Sequence, residues 1–282
     1  MERRLEKILT ICLGSFWLLD GILQLQPAMF TSTFISTVLS PNLQNQPPIL
    51  ANIIAFGIHI FTINIFWSNL VSALIQLLIG ALLLLPLRND VKRFGLWLSV
   101  SWALIVWIFG EGFGNLATGS ATFYTGAPGA ALLYLILAIF LLYPKKLPLE
   151  KLSFVAATLF LLGAALNLAP MFWQPNMSSM LAMAPAVSGW LGTFGSQGTL
   201  LVNLLAIDML VGLGIFLMLV PIRSVAWVTI AFLLIVWWFG QNSGGLLSVP
   251  GGTATDPNAA LLFVLFLIPI ILKKNVSVAI LK

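Results

Sequence analysis

The sequence predicts an all-α membrane protein, a polytopic helix bundle of about eight transmembrane helices arranged as two parallel four-helix repeats. Three observations predict this fold. Hydrophobic residues make up 60% of the 282 residues, charged residues make up only 7%, and a long segment of the first half recurs in the second. A water-soluble domain needs far more charge on its surface, so lipid is the expected solvent of most of the chain.

Apolar segments of spanning length recur along the whole sequence. A helix needs about 20 apolar residues to cross a hydrocarbon layer about 30 Å thick. The stretch from Pro48 to Leu87 would form a helix about 58 Å long, so we divide it near Ser68 into an interfacial or re-entrant helix and a span. The predicted spans are residues 8–26, 67–87, 94–110, 129–143, 152–169, 200–220, 225–240 and 258–272.

The two halves of the chain resemble each other over several segments, which predicts a first repeat at 1–146 and a second at 147–282. Each predicted repeat has an even number of spans, so both should run through the membrane in the same direction, related by an axis along the membrane normal. The matching segments are Ile105–Leu116 with Ile235–Leu246, Pro128–Tyr134 with Pro257–Phe263, Leu23–Pro27 with Leu166–Pro170, and Gln76–Gly80 with Asp208–Gly212.

The basic residues predict the orientation. All of them fall on one side of the eight-span arrangement, which the positive-inside rule places in the cytoplasm. We therefore expect a multi-pass protein of the cell membrane with both termini cytoplasmic. Topology accounts for these charges, so no nucleic-acid partner is expected and the lipid bilayer is the main partner. The residues are Arg3, Arg4, Lys7, Arg88, Lys92, Arg93, Lys145, Lys146, Lys151, Arg223, Lys273, Lys274 and Lys282.

Ionisable side chains within spans are costly and mark candidate functional positions. Asp20 lies in the first predicted span, Asp208 near the middle of the sixth, and Glu111 at the outer end of the third. The alignment of the repeats places Gln76 opposite Asp208 and Glu111 opposite Gln241. The candidate pocket residues are Asp20, Gln24, Gln76, Glu111, Asn115, Asp208 and Gln241.

Two interpretations of these polar residues stay open. They form an outward-opening pocket for protons, a cation or a quinone head group, or they hydrogen-bond neighbouring helices to each other. We favour helix contacts for Gln24, Gln76 and Asn167. For Asp20 and Asp208 we weigh a functional role and a packing role equally, because a neutral amide would suffice for packing. The glycine-rich segment Gly110–Asn115 is likewise a turn at the membrane interface or a pocket rim that includes Glu111 and Asn115.

No catalytic residue can be assigned, because no catalytic or cofactor motif is recognisable in the sequence. His59 is the only histidine, so a histidine-rich metal centre or a haem with two histidine ligands cannot be built within this chain. We therefore predict no metal site and leave open whether the protein is an enzyme.

Several features together resemble the DoxX/DoxD group of four-helix membrane proteins, here as a tandem duplication covering nearly the whole chain. The first span has a mid-helix glycine, Gly21, and is followed by a long outer connection. The second span carries a polar residue four positions before a glycine, as in Gln76 and Gly80, and a basic inner turn follows at Arg88. That group usually has an acid at the Gln76 position, so the first copy departs from its pattern.

This resemblance implies an integral membrane subunit of a quinone-linked oxidoreductase-type complex, since members of the group are associated with such systems, including thiosulfate oxidation. It would anchor partner membrane subunits or offer an outward-facing quinone or proton site, and a quinone is the one cofactor implied. The sequence has no cofactor ligand set and no outer Lys or Arg to hold thiosulfate. A small-solute or ion transporter and a structural subunit of a larger membrane complex remain the alternatives.

Overall fold

The computed structural model describes residues 2–249 and 251–273, and no β-strand occurs among them. Lys274 and Lys282, which the charge pattern places in the cytoplasm, lie outside the described residues. The α-helices are α1 Glu2–Leu23, α2 Ser32–Phe34, α3 Pro48–Ile63, α4 Ile65–Leu84, α5 Asn89–Ile105, α6 Ala130–Leu142, α7 Leu152–Leu166, α8 Pro185–Gly192, α9 Gly195–Leu219, α10 Arg223–Ile235 and α11 Ala259–Leu272.

A helix occurs at each of the eight positions where the sequence predicts a span: α1, α4, α5, α6, α7, α9, α10 and α11. One π-helical turn extends α5 to Gly110 and another extends α10 to Gly240. Several helices are long and apolar enough to cross a membrane, as expected for a membrane protein. Among the described residues five stretches meet this condition: Ile65–Leu84, Asn89–Gly110, Leu149–Leu166, Gln197–Leu219 and Arg223–Gly240.

The predicted division of the long apolar stretch is confirmed, because α3 and α4 are separate helices. The break falls at Asn64, four residues before the predicted point near Ser68, where the backbone is extended with φ −151° and ψ 91°. The Asn64 side chain accepts a hydrogen bond from the Trp67 backbone N–H at 3.2 Å. Asparagine is a favoured residue at this capping position, so the helix restarts there.

The eight long helices form two closed groups of four. In the first bundle, α1 packs along α4, α4 on α5, α5 on α6, and α6 returns to α1. In the second bundle, α7 packs along α9, α9 on α10, α10 on α11, and α11 returns to α7. The two bundles meet through α11, which contacts α6 and α1.

Small residues let the first two long helices of each bundle approach closely. A Cβ atom added to Gly80 would lie 2.9 Å from the Gly14 carbonyl oxygen, and one added to Gly214 would lie 3.1 Å from the Ala157 carbonyl oxygen. Such close backbone approach is the usual way in which membrane helices gain packing contacts, since lipid and leucine are equally apolar.

Two buried amides join these helices in each bundle, and we call each pair an amide clasp. Gln24 Nε2 donates to Asn69 Oδ1, while Asn69 Nδ2 donates to the Gln24 carbonyl at 2.9 Å. In the second bundle Asn167 Nδ2 donates to Asn203 Oδ1 at 3.1 Å, and Asn203 Nδ2 donates to the Asn167 carbonyl at 3.1 Å. These bonds fit the packing interpretation of Gln24 and Asn167.

The first clasp predicts a measurable coupling between Gln24 and Asn69. In a double-mutant cycle of Gln24→Ala and Asn69→Ala, we expect a coupling energy of about 0.6 to 1.7 kcal/mol, the range for hydrogen bonds between membrane helices. The measurement is reversible unfolding in mixed micelles. Gln24→Ala combined with Ser72→Ala serves as control, because Ser72 bonds to the Ser68 carbonyl of its own helix. Equal coupling in both cycles would contradict the clasp.

Candidate functional site

The first bundle encloses a cavity of about 140 Å³ near one end, which we call the inner cavity. Residues of α1, α4, α5 and α6 form its walls, and residues of α3 and of the segment 34–39 lie over it. Most of the lining is apolar: Trp17, Phe34, Ile58, Phe61 and Phe109 are among the lining residues. Trp17 stacks on Tyr134 with ring centroids 4.4 Å apart, so the floor of the cavity is aromatic.

Four buried polar atoms around the inner cavity have no hydrogen-bond partner within the described part of the chain. Such groups are rare in folded proteins, and each asks for an explanation. Asp20 and Tyr134 are each only 2% exposed. The Asp20 carboxyl and the Tyr134 hydroxyl lie near each other, but Asp20 Oδ1 and Tyr134 OH do not meet the geometry of a hydrogen bond. Trp102 Nε1 and Tyr134 OH can donate a hydrogen bond, and Asp20 Oδ1 and Gln76 Oε1 can accept one.

Glu111 lies at the outer end of the inner cavity and caps the first turn of α6. The Ala131 backbone N–H donates to Glu111 Oε1 at 3.0 Å and to Oε2 at 3.2 Å. A carboxylate at a helix N-terminus satisfies a free N–H and suits the helix dipole. Gln241 does the same for α11, since its Oε1 accepts from the Ala260 N–H at 3.0 Å. Capping therefore explains why both residues are polar, but not why one is acidic.

Asp256 reaches the inner cavity from the loop before α11. Its carboxylate accepts hydrogen bonds from Thr255 Oγ1 at 2.7 Å and from the Asn258 N–H at 2.6 Å. Burial, and next the nearby charge of Asp256, raise the pKa of Glu111 to about 8. Burial also raises the pKa of Asp256 above its ordinary value. The two carboxyl groups thus hold protons more strongly than exposed acids do.

A larger polar space adjoins the inner cavity and has a volume of about 560 Å³; we call it the outer vestibule, because the charge pattern predicts that this end of the bundle faces outward. Gly110, Glu111, Ala130, Thr255 and Asp256 line both spaces. Backbone and Ser, Thr and Asn side chains from both bundles form its wall, and no Lys or Arg lines either space among the described residues. The two spaces share the polar lining residues Glu111, Thr255 and Asp256 and therefore adjoin each other.

The glycine-rich segment 110–115 serves as both turn and rim. Phe113 and Gly114 have φ of 58° and 63°, and a Cβ on Gly114 would collide with the Pro128 carbonyl. This close approach requires glycine. Asn115 lines the vestibule, where its Nδ2 donates to Asn42 Oδ1 at 3.1 Å and its Oδ1 accepts from Gln46 Nε2 at 3.3 Å.

In the second bundle Phe123 packs beside Gly163, which lies four residues before the clasp residue Asn167 as Asp20 lies before Gln24. Phe123 follows α5 of the first bundle but is fully buried against the second, with ring centroids 5.0 Å from Phe160 and 5.1 Å from Phe263. Next to it, Tyr124 OH donates to the Ala206 carbonyl at 2.7 Å. A loop from the first bundle therefore closes the core of the second.

The polar residues of the inner cavity are replaced at matched positions of the second bundle. We call positions matched when they have the same spacing from the clasp residues or from an aligned segment. Gly163 precedes Asn167 by four residues, as Asp20 precedes Gln24. A Cβ on Gly163 would lie 2.8 Å from Phe123 Cβ, so an Asp20-like side chain has no room there. The other replacements are Gln76 by Leu210, Trp102 by Phe232 and Tyr134 by Phe263.

The prediction that Asp208 shares a pocket with Asp20 and Glu111 is wrong. Asp208 is exposed on α9 and lines neither space. The loose sequence alignment was shifted by two residues, because apolar helices match in more than one register. The clasp asparagines Asn69 and Asn203 fix the correct register, in which Leu210 matches Gln76.

The structure brings together four of the predicted residues at the inner cavity: Asp20, Gln24, Gln76 and Glu111. Asn115 and Gln241 line the outer vestibule, together with Glu111. Sequence reasoning missed Trp102, Tyr134 and Asp256. The first two differ from matched phenylalanines only by a polar group, which a residue-by-residue comparison of the halves could have revealed. Asp256 lies in a loop where the halves differ in length, so no alignment signal marks it.

Comparison of the chain with protein-family models, with curated proteins and with solved structures gives no match. Within the described residues no group of three or more His, Cys, Asp or Glu side chains has the arrangement of a metal site. The geometry of the two connected spaces is therefore the basis for a functional proposal.

The raised pKa of Glu111 predicts a pH-dependent stability. The folded state keeps this proton up to about pH 8, whereas an unfolded glutamate releases it near its ordinary value of 4.5. Between these values the folded state binds more protons, so stability falls as pH rises. The melting temperature of the detergent-solubilised protein should therefore decrease from pH 5 to pH 8.

Glu111→Gln should flatten this decrease, because the amide still accepts the Ala131 hydrogen bond, as Gln241 does for Ala260. Glu150→Gln is the matched control, since Glu150 is exposed. An unchanged pH slope in Glu111→Gln, or a stability that rises with pH in the unsubstituted protein, would contradict the prediction.

Proposed function

We propose that the protein is an integral membrane subunit of a quinone-linked oxidoreductase-type complex, and that its first bundle binds a quinone head group from the outer side. In this proposal the eight long helices are eight spans, the two bundles are parallel repeats of a DoxX/DoxD-like unit, and the vestibule faces outward. The basic helix ends then lie in the cytoplasm.

The observation that carries the proposal is the set of four unpartnered polar atoms around the inner cavity. A quinone ring has carbonyl oxygens that accept hydrogen bonds, and its reduced form has hydroxyls that donate them. Trp102 Nε1 and Tyr134 OH supply donors, while Asp20 Oδ1 and Gln76 Oε1 supply acceptors. A cavity of about 140 Å³ has the size that holds one six-membered ring, as a cavity of about 150 Å³ holds benzene.

The residues of the chain have distinct roles in this arrangement. Trp102 and Tyr134 would orient an oxidised ring by donating to a carbonyl oxygen, and the apolar walls would exclude water. A bound quinone supplies reversible uptake of electrons and protons in equal number, with the electrons exchanged with a partner subunit. Asp20 would hold a proton beside the ring. Glu111 and Asp256, which line both spaces, would pass protons between the cavity and the vestibule.

The alternative of a transporter is less well supported, because the inner cavity has an apolar end. Towards the basic helix ends the first bundle is filled by buried leucines, including Leu5, Leu9, Leu13, Leu83 and Leu137. A solute or ion path would need polar groups there. The second bundle has leucine or phenylalanine at the positions matched to Gln76, Trp102 and Tyr134. A purely structural subunit could use the same apolar residues in the first bundle and would not need unpartnered polar atoms there.

Asp208 supports the part of the proposal that concerns partner subunits. It lies at the centre of the stretch Gln197–Leu219 and is exposed, among apolar neighbours such as Leu205 and Met209 that are also exposed. On insertion scales, placing a charged carboxyl group in lipid at this depth costs roughly 3 kcal/mol. A partner helix that presents a hydrogen-bond donor or a basic side chain would remove this cost.

Quinone binding is tested with Tyr134→Phe, which introduces the residue that the second bundle has at Phe263. We expect the dissociation constant for a short-chain quinone to rise about tenfold, because one hydrogen-bond donor is lost. Quenching of tryptophan fluorescence in the purified protein reports binding. Tyr143→Phe is the control, since Tyr143 lies outside both spaces. Absence of saturable binding, or equal effects of both substitutions, would refute the quinone site.

The partner role of Asp208 is tested by native mass spectrometry after gentle solubilisation. Asp208→Leu should lose a co-purifying membrane subunit, whereas Asp208→Asn should keep it because the amide retains the hydrogen bond. Met209→Leu, an exposed neighbour on the same helix, should behave like the unsubstituted protein. The same set of bound subunits in Asp208→Leu would rule out this contact while leaving the quinone site untouched.

A further inference from the structure

A groove with a basic rim lies at the end of the first bundle opposite the two polar spaces. It has a volume of about 500 Å³ and is bounded by the start of α1, the start of α5 and the segment that follows α6. Four basic residues line it, namely Lys92, Arg93, Lys145 and Lys146, and Glu6 is its only acidic lining residue. We call it the basic groove.

None of the four basic residues of the basic groove forms a salt bridge within the described part of the chain. The single salt bridge there joins Arg88 to Asp90 at 3.2 Å, and neither residue lines the groove. Lys92 lies at the end of the first turn of α5, with Arg93 directly after it, and near this end the helix dipole disfavours cations and favours anions. Like charges held together at a helix N-terminus are unfavourable unless an anion binds between them.

The floor of the groove is apolar, and this favours an anion that also has an apolar part. Leu96, Leu141 and Leu142 line it and are each at most 7% exposed. At its margin Tyr143 meets the exposed Trp97 edge to face, with ring centroids 6.1 Å apart. Aromatic side chains of this kind concentrate where a protein meets lipid head groups. A free phosphate would use the basic rim alone, whereas a phospholipid would use both the rim and the leucines.

The described residues of the second bundle differ from the basic groove at two matched positions. Ile222 stands at the position matched to Lys92, and Arg223, matched to Arg93, donates a hydrogen bond from Nη2 to the Lys273 carbonyl at 2.6 Å. The guanidinium there already has a partner in the chain. The four basic residues therefore belong to one site and are not merely the general basic character of this end of the molecule.

We infer that the basic groove binds the phosphate head group of an anionic phospholipid. Basic pockets between membrane helices on the cytoplasmic side are suited to such head groups, and each Lys or Arg near an anionic surface contributes about 1 kcal/mol. Arg93 can hold a phosphate with paired N–H groups, while the lysines act as point charges. The inference is independent of the proposed quinone site, which lies at the other end of the bundle.

The test is native mass spectrometry of the purified full-length protein in micelles. One series of micelles contains dioleoyl-phosphatidylglycerol, a second contains dioleoyl-phosphatidylcholine at the same mole fraction, and a third contains dioleoyl-phosphatidylglycerol with increasing inorganic phosphate. We expect saturable binding of phosphatidylglycerol in preference to phosphatidylcholine. Lys92→Gln with Arg93→Gln should weaken that binding by about tenfold or more, since two contacts of about 1 kcal/mol are removed.

Arg3→Gln with Arg4→Gln is the matched control, because it removes the same charge from exposed residues at the start of α1 that do not line the groove. This control should bind phosphatidylglycerol as the unsubstituted protein does. Melting temperatures in phosphatidylcholine micelles verify that both double variants are folded. Equal loss in both variants, equal binding of the two lipids, or saturation by inorganic phosphate that blocks the lipid would each overturn the inference.

Discussion

A polar side chain inside a membrane bundle needs a polar partner, because lipid offers none, and this constraint shapes both bundles. The amide clasps satisfy it fully: Asn69 and Asn203 each bond to one side chain and one carbonyl. Glu111 and Gln241 satisfy it by capping a neighbouring helix. Among the described residues, four of the six buried side-chain atoms that depart from the rule lie around the inner cavity. That departure is confined to the bundle in which the matched apolar residues are absent.

A loop from each bundle contributes a side chain to the other bundle, and these two side chains differ in polarity. The segment between Thr122 and Pro128 sends Phe123 into the second bundle, where it packs on the aromatic core. The shorter segment between Thr255 and Pro257 holds a single residue, Asp256, which reaches the inner cavity of the first. Each bundle is thus completed by the other. Phe123 adds a large apolar ring to the core of the second bundle, whereas Asp256 adds a short acidic side chain to the cavity of the first.

The sequence predicted the positions of the long helices well, because uninterrupted apolar length is a strong signal, and it placed Glu111 opposite Gln241 where the halves are most alike. It failed for Asp208, because leucine-rich helices align in several registers and only the buried asparagines distinguish them. It also could not identify Tyr134 as a site residue: a tyrosine in an apolar span resembles any other aromatic core residue. Contacts between loops distant in sequence, such as that of Asp256 with the first bundle, leave no periodic pattern.

The comparison of matched positions separates what the fold requires from what it does not. Capping of α6 and α11 requires only a carbonyl-type acceptor, which Gln241 supplies, so the acidity of Glu111 is additional to its structural role. Packing at the position of Asp20 is met by a glycine in the second bundle, so its carboxyl is additional as well. Asp256 has no counterpart. Two of the three acids at the inner cavity, Asp20 and Glu111, therefore have a carboxyl group that packing and capping do not require, and burial raises the pKa of Glu111 and of Asp256. Groups that hold protons beside a cavity with matched donors and acceptors are suited to chemistry that couples proton movement to a bound ring.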